Sequence, residues 1–302
     1  MYDVIIVGMG PAGLTAAVYA GRKKMSALLI GKHYGGQAAW ASEIENYMGF
    51  HYVTGTELMQ KFREQAERYP VEQKQGEVAT VGRGGGGFTV RMKSGEEFMA
   101  RSLIIASGKF PRRLNVPGEA RLTNKGVSYC SVCDGPLFEG LDVAVVGGGN
   151  SALEAAHDLV KIAKKVYVVS LGRWEADPIL MDRVKGNPGV EQLVGWETVE
   201  IEGGQLVSGL KLRSVARPDE VKRLDVQGVF VKIGTIPGTR LVEGFLELNE
   251  EKEIVVGCDA TTSVPGVFAA GDATNIPDKQ VIVSAGEGAK AALGAYRYIL
   301  TC

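Results

Sequence analysis

The sequence lacks any apolar run approaching the ~18 residues that a membrane span requires, and its lysines and arginines form no basic tract. With 34 basic and 35 acidic side chains the formal charge is −1, so neither nucleic acid nor a membrane is expected as the main partner. Cysteine is scarce: four in 302 residues are too few for the disulfide framework of a secreted scaffold. The three histidines, His33, His51 and His157, show no ligand spacing, and Cys258 and Cys302 form no second close pair, so no metal site is expected. A first strand is expected within a residue or two of Met1, leaving no room for a charged and apolar leader, and the expected compartment is the cytoplasm.

What is present is a chain longer than the roughly 250 residues at which one core stops growing. With 45% hydrophobic residues it is expected to form two domains. Residues 2–8 read as a buried strand, 12–22 as a helix and 27–30 as a second strand, together a βαβ unit. The same pattern returns in a strand at 142–147, a helix to about Lys161 and a strand at 166–169. Between them, 77–81, 87–92 and 97–99 read as a β-meander, with Gly84 to Gly87 as a hairpin turn, and 103–107 reads as a parallel strand. Phe110 to Arg113 and Ile233 to Gly238 are turn-rich hinge candidates. The last segment, a strand at 266–270 and a helix from about Ala285, is too small to be a domain and is expected to pack on the first unit. The expected architecture is therefore α/β: two Rossmann-like, three-layer (ββα) nucleotide-binding domains, with the second, 113–238, inserted into the first, 1–112 and 239–302.

Three motifs carry chemistry. Gly8-Met9-Gly10-Pro11-Ala12-Gly13 follows a strand and opens a helix, so its glycines permit a tight turn and let backbone N–H groups meet a pyrophosphate. Gly147-Gly148-Gly149-Asn150-Ser151-Ala152 is the alanine-ended variant in the same context and suggests a second nucleotide, although close helix–strand packing alone would also call for such glycines. Neither unit has the acidic residue that usually meets a ribose. The first reads Leu29-Ile30-Gly31-Lys32 there, and the second Ser170-Leu171-Gly172-Arg173, where Arg173 alone is a poor clamp for a 2′-phosphate. The third motif is Cys130-Ser131-Val132-Cys133-Asp134, two thiols spaced to close a small disulfide whose reactive member has a lowered pKa. A zinc site would need four ligands. Asp134 reads either as a proton donor to a leaving thiolate or as a turn-capping aspartate.

Gly8 to Gly13, Gly35-Gly36-Gln37, Glu45-Asn46-Tyr47, Ala106-Ser107-Gly108, Cys130 to Asp134, Gly147 to Ala152, Gly271-Asp272 and Lys279-Gln280-Val281 occur in one order. That order resembles the low-molecular-weight thioredoxin reductases, FAD-dependent pyridine nucleotide-disulfide oxidoreductases, over nearly the whole chain. The resemblance implies an FAD domain built from both chain ends, an inserted nucleotide domain holding the cysteine pair, and a homodimer. It implies that Asp272 hydrogen-bonds the ribityl chain, that Gln37 and Asn46 lie near FAD and Gln280 at the isoalloxazine, with Gly36, Gly108, Lys279 and Val281 among the cofactor-binding residues. It further implies that Cys133 exchanges electrons with the flavin while Cys130 attacks the disulfide of a thioredoxin-like protein. NADPH-using relatives carry His-Arg-Arg-x-x-x-Arg where this chain has Ser170 to Ala176, so NADH or NADPH with little discrimination is the expected donor. Reduced ferredoxin or a reduced deazaflavin is the rival donor. The flavoprotein of a peroxide-reducing system is an alternative enzyme, one often carrying an N-terminal thioredoxin-like domain not seen in this sequence. A flavin-binding redox sensor without turnover is the alternative from another class.

Overall fold

The computed structural model describes residues 1–41 and 44–301, and the side chains of residues 132 and 133 fall outside that description. It divides into two compact units, Met1–Phe110 with Pro237–Cys302, and Pro111–Ile236. The chain opens with β1 (Tyr2–Val7), α1 (Pro11–Arg22), β2 (Ala27–Gly31), α2 (Gly55–Glu67), β3 (Glu72–Gln75), β4 (Val78–Gly84), β5 (Gly87–Met92), β6 (Glu97–Ile105) and β7 (Lys109–Pro111). Then follow α3 (Glu119–Leu122), β8 (Val127–Ser128), α4 (Ser131–Asp134), β9 (Asp142–Val146), α5 (Asn150–Leu159), β10 (Lys165–Ser170), α6 (Pro178–Lys185), β11 (Val190–Val194), β12 (Trp196–Gly203), β13 (Val207–Ser214), β14 (Val221–Leu224) and β15 (Gly228–Val231). After β16 (Thr235–Pro237) come β17 (Val267–Ala269) and α7 (Val281–Thr301).

In the first unit the sheet order is β3-β2-β1-β6-β5-β4, with β17 also on β6. The apolar runs of β1 and β2 suit parallel strands covered on both faces. Val4, Ile6 and Leu29 face one core with α1 and the small residues of α7, while Ile5, Val7, Leu28 and Ile30 face the other with Phe88 and Val90. The final helix lies tightly on α1: a Cβ at Gly288 would stand 2.0 Å from the Ala12 carbonyl oxygen.

Two sequence expectations need correction. No break separates 97–99 from 103–107; β6 is one strand, antiparallel to β5 at its start and parallel to β1 and β17 further on. Ala100-Arg101-Ser102 holds no glycine or proline to turn the chain. Helix α7 begins at Val281, ahead of Ala285, because its first turn is the β-branched run Val281-Ile282-Val283, whose low helix propensity masks the start. The Gly84–Gly87 hairpin forms as read, with Gly85 and Gly86 at φ +58° and +79°, as a two-residue turn requires.

The second unit has five strands in the order β11-β10-β9-β15-β8, all parallel. One face carries a core of Leu153, Leu159 and an edge-on Phe138–Phe230 pair; the other faces Leu210 and Leu212 of the antiparallel β12-β13-β14 sheet. No helix among the described residues is long and apolar enough to cross a membrane.

Candidate functional site

The Gly8–Gly13 loop divides its glycines into two kinds. At Gly8, φ is +121° and a Cβ would stand 2.0 Å from the Ala106 carbonyl oxygen; at Gly13 a Cβ would stand 1.8 Å from the Gly8 carbonyl oxygen. Both are demanded by packing. Gly10, in contrast, has ordinary extended backbone, caps α1 without any side-chain hydrogen bond, and a Cβ there would meet nothing closer than 4.0 Å. Space is therefore open where the uncapped N–H groups of α1 begin, which is what a pyrophosphate needs. Pro11 occupies the first turn, where a missing N–H costs nothing, and Ala12 is buried beneath α7.

Other predicted residues of this unit gather around the loop. The Gly35 N–H donates to the Met9 carbonyl at 2.7 Å, bringing Gly36, with φ +55°, against Gly10. Gln37 Nε2 donates to the Lys109 carbonyl at 2.8 Å, next to Gly108, which turns at φ +65°. On the opposite flank Gly271 lies against Ala12, and its N–H donates to the buried Glu287 carboxylate at 3.2 Å. The Ser284 hydroxyl donates to Asp272 Oδ1 at 3.1 Å, and Asn46 Nδ2 donates to Gln280 Oε1 at 3.0 Å. Lys279 Nζ donates to the carbonyls of Asp272 and Thr274, and Val281 starts α7. Ser284 and Glu287 were not singled out in the sequence, since neither belongs to a motif; they are visible only once α7 lies on the loop.

The second unit repeats the division. A Cβ on Gly147 would stand 2.1 Å from the Lys232 carbonyl oxygen, whereas at Gly149, the α5 cap without a side-chain hydrogen bond, the nearest atom would be 3.8 Å away. Ala152 is buried against Gly147 and Ser151 is exposed. The Asn150 side chain is engaged on both its groups, donating to Asp177 Oδ2 at 3.1 Å and accepting from the Asp177 N–H at 2.7 Å. It braces the segment after β10. In that segment the Ser170 hydroxyl turns into its own loop and donates to the Gly172 carbonyl, Arg173 is exposed, and Trp174 is buried against Gly148.

Cys130 is buried and held in a disulfide, while Cys258 is free and exposed. The Cys133 side chain lies outside the described residues. The Cys130 N–H donates to Ser128 Oγ at 3.0 Å, and that hydroxyl donates to Asp134 Oδ2 at 2.6 Å. One buried serine thus fixes both the cysteine backbone and the carboxylate. Next to it, Tyr129 donates to Glu119 Oε1 at 2.8 Å; burial first, then that hydrogen bond and charge, pushes its phenol up to about 12. Glu119 is itself buried and also accepts the N–H groups of Leu114 and Asn115. Among the described residues no cluster of three His, Cys, Asp or Glu side chains is placed to hold a metal.

Two units, each with parallel central strands and an open glycine cradle before a helix, define a two-domain dinucleotide-binding protein of Rossmann type. The family model for pyridine nucleotide-disulphide oxidoreductases matches residues 2–291, and the chain belongs to that family. Membership implies FAD and a nicotinamide nucleotide as cofactors, and the open cradles at Gly10 and Gly149 accommodate such groups. Over 99% of its length the chain is 40% identical to an alkyl hydroperoxide reductase component of Escherichia coli (strain K12), and likewise 40% identical to an NADH dehydrogenase of Bacillus subtilis (strain 168). It spans 58% and 59% of those two proteins. Lactococcus lactis thioredoxin reductase superposes with a TM-score of 0.93 at 33% identity, covering all of both chains. A ferredoxin-flavin thioredoxin reductase from Clostridium acetobutylicum gives a TM-score of 0.55 at 32% identity, covering 100% of this chain and 99% of that one.

Proposed function

We propose that the chain is an FAD-dependent disulfide reductase, which takes two electrons from a nicotinamide nucleotide and delivers them through Cys130 and Cys133 to a thioredoxin-like protein. The observation that carries this reading is a disulfide-held Cys130 sharing one buried serine with the Asp134 carboxylate. FAD, when bound, supplies the two-electron exchange between nucleotide and disulfide. The remaining work belongs to the chain. Gly10 and the bare end of α1 receive the pyrophosphate, and Asp272, oriented by Ser284, takes a ribityl hydroxyl. Gly36, Gln37, Asn46, Gly108, Lys279, Gln280 and Val281 border the same cofactor, while Gly147, Gly149, Ser151 and Ala152 form the nucleotide loop that Asn150 braces.

With the pair reduced, the Cys130 thiolate attacks one sulfur of the partner disulfide and expels the other as a thiolate, to which Asp134 relays the proton of the Cys133 thiol. The Cys133 thiolate then attacks Cys130 Sγ, releasing the second partner thiol and restoring the starting disulfide. Each turnover consumes one nucleotide hydride equivalent and one proton and leaves two thiols on the partner. Such chemistry belongs in a thiol-reducing compartment, so we place the protein in the cytoplasm, as a homodimer, which sedimentation of the FAD-loaded protein tests.

For the donor we favour NADH at least equally with NADPH, because Ser170 is turned into its own loop and Arg173 stands alone. The likeness to a protein named NADH dehydrogenase supports this. Anaerobic mixing with NADH, NADPH, reduced ferredoxin and a reduced deazaflavin, read as flavin bleaching, decides it. A ~100-fold NADPH preference, about 2.7 kcal/mol, would show a phosphate clamp elsewhere. Bleaching by ferredoxin alone would make the glycine triplet structural, and bleaching by no donor would favour a redox sensor. A second reading, the reductase portion of a peroxide-reducing system, is favoured by the identity to the Escherichia coli alkyl hydroperoxide reductase component. It predicts electron delivery to a peroxidase relay in preference to a free thioredoxin.

A further inference from the structure

Within the first unit three charged side chains outside the glycine loop meet at one point. Glu253 Oε1 receives Lys109 Nζ at 3.1 Å and Lys279 Nζ at 3.0 Å, and its other oxygen accepts from Asn249 Nδ2 at 3.0 Å. The side chains are only 17%, 13% and 23% exposed for Lys109, Glu253 and Lys279, so solvent screens the group poorly. Two ammonium groups on one carboxylate leave one positive charge over. Each lysine also grips a segment bordering the proposed flavin site: the Lys109 carbonyl receives Gln37, and Lys279 holds the carbonyls of Asp272 and Thr274 and precedes Gln280.

We propose that Lys109 and Glu253 are further positioning residues of the flavin site: Glu253 joins Lys109 to Lys279 so that a net positive charge is held at the cofactor and favours its reduced form. The inference rests on the FAD reading above. Two-electron reduction makes an isoalloxazine more negative, and charge near its ring is one of the levers a protein has on its potential. A brace alone would need one lysine; the second is what makes the cluster cationic. Burial by itself would raise the Glu253 carboxyl, but the hydrogen bonds from Lys279, Asn249 and Lys109 outweigh it and hold it below the usual range, so the glutamate is the anionic member.

The test is the midpoint potential of the FAD-loaded protein, measured by equilibration with a reference dye, beside FAD affinity. Lys109→Met should lower the potential and Glu253→Gln should raise it, each by about a tenfold change in the reduced-to-oxidised ratio, or about 30 mV for two electrons. Lys109→Arg, which keeps the charge, should stay near wild type. Shifts of the same sign in the two charge-changing variants, or no shift, with FAD bound, would overturn the proposal, as would a Lys109→Arg shift as large as that of Lys109→Met. So would loss of FAD from all three variants while wild type remains loaded, since the cluster would then be a brace. Wild-type protein that binds no FAD would instead overturn the reading beneath it.

Discussion

Replacing Gly10 by alanine should leave the first unit folded while weakening FAD binding, whereas Gly13→Ala should damage the fold itself. The Gly10 backbone, at φ −80° and ψ −172°, is open to any residue, and the new methyl would find its nearest neighbour 4.0 Å away. Alanine is a poorer helix cap than glycine by roughly 0.5–1 kcal/mol, but the loss is offset by about 0.4–1 kcal/mol from a less flexible unfolded chain. The net change stays within about 1 kcal/mol, or roughly 2–4 °C in Tm for a unit of this size. At Gly13 the methyl would lie 1.8 Å from a backbone oxygen, which cannot rotate aside, so the ~1–3 kcal/mol typical of overpacking is a lower bound. For the cofactor the order reverses in cause: the Gly10 methyl occupies the approach of a phosphate to the helix N–H groups. Losing one charge-assisted hydrogen bond costs about 1.5–3 kcal/mol, a rise in Kd of about 10- to 150-fold. Thermal unfolding of the apoprotein and titration with FAD by fluorescence quenching measure the two effects separately. A Gly10→Ala protein that binds FAD as wild type does, or that melts as low as Gly13→Ala, would refute the reasoning.

Cys130→Ser should abolish disulfide reduction while the true donor still bleaches the flavin, and this Cys133-retaining variant should show a thiolate-to-flavin charge-transfer band. The band appearing only in Cys133→Ser would reverse the two roles. Asp272→Ala should lose FAD faster on dialysis, because the carboxylate that Ser284 orients is gone; retention equal to wild type would remove Asp272 from the site. Tyr129, whose folded phenol titrates at about 12 against an ordinary 10, contributes stability that is fully present below pH 10 and lost as pH rises through 12. Tyr129→Phe should therefore make the alkaline fall of Tm shallower, leaving the share of Tyr2, raised likewise to about 12 first by its hydrogen bond to Glu72, and an unchanged slope would count against the Glu119 contact.

Features written in residues a few positions apart were legible without the structure. The apolar runs of β1 and β2, the glycine turn before α1 and the Gly84–Gly87 hairpin each carry their own periodicity or punctuation. The spacing of Cys130 and Cys133 likewise suggested thiol chemistry by itself. What the sequence could not reveal depended on neighbours brought from afar. Gly8, Gly10 and Gly13 are identical letters, yet the Ala106 carbonyl beyond β6 makes Gly8 a steric necessity and leaves Gly10 open. The continuity of β6 came from its different partners at each end, β5 first and then β1 and β17. Glu253 lies in no motif, and only the fold sets it between Lys109 and Lys279. Periodicity and turn chemistry are local properties of a chain, whereas open space, burial and net charge are sums over whatever the tertiary structure packs around a residue.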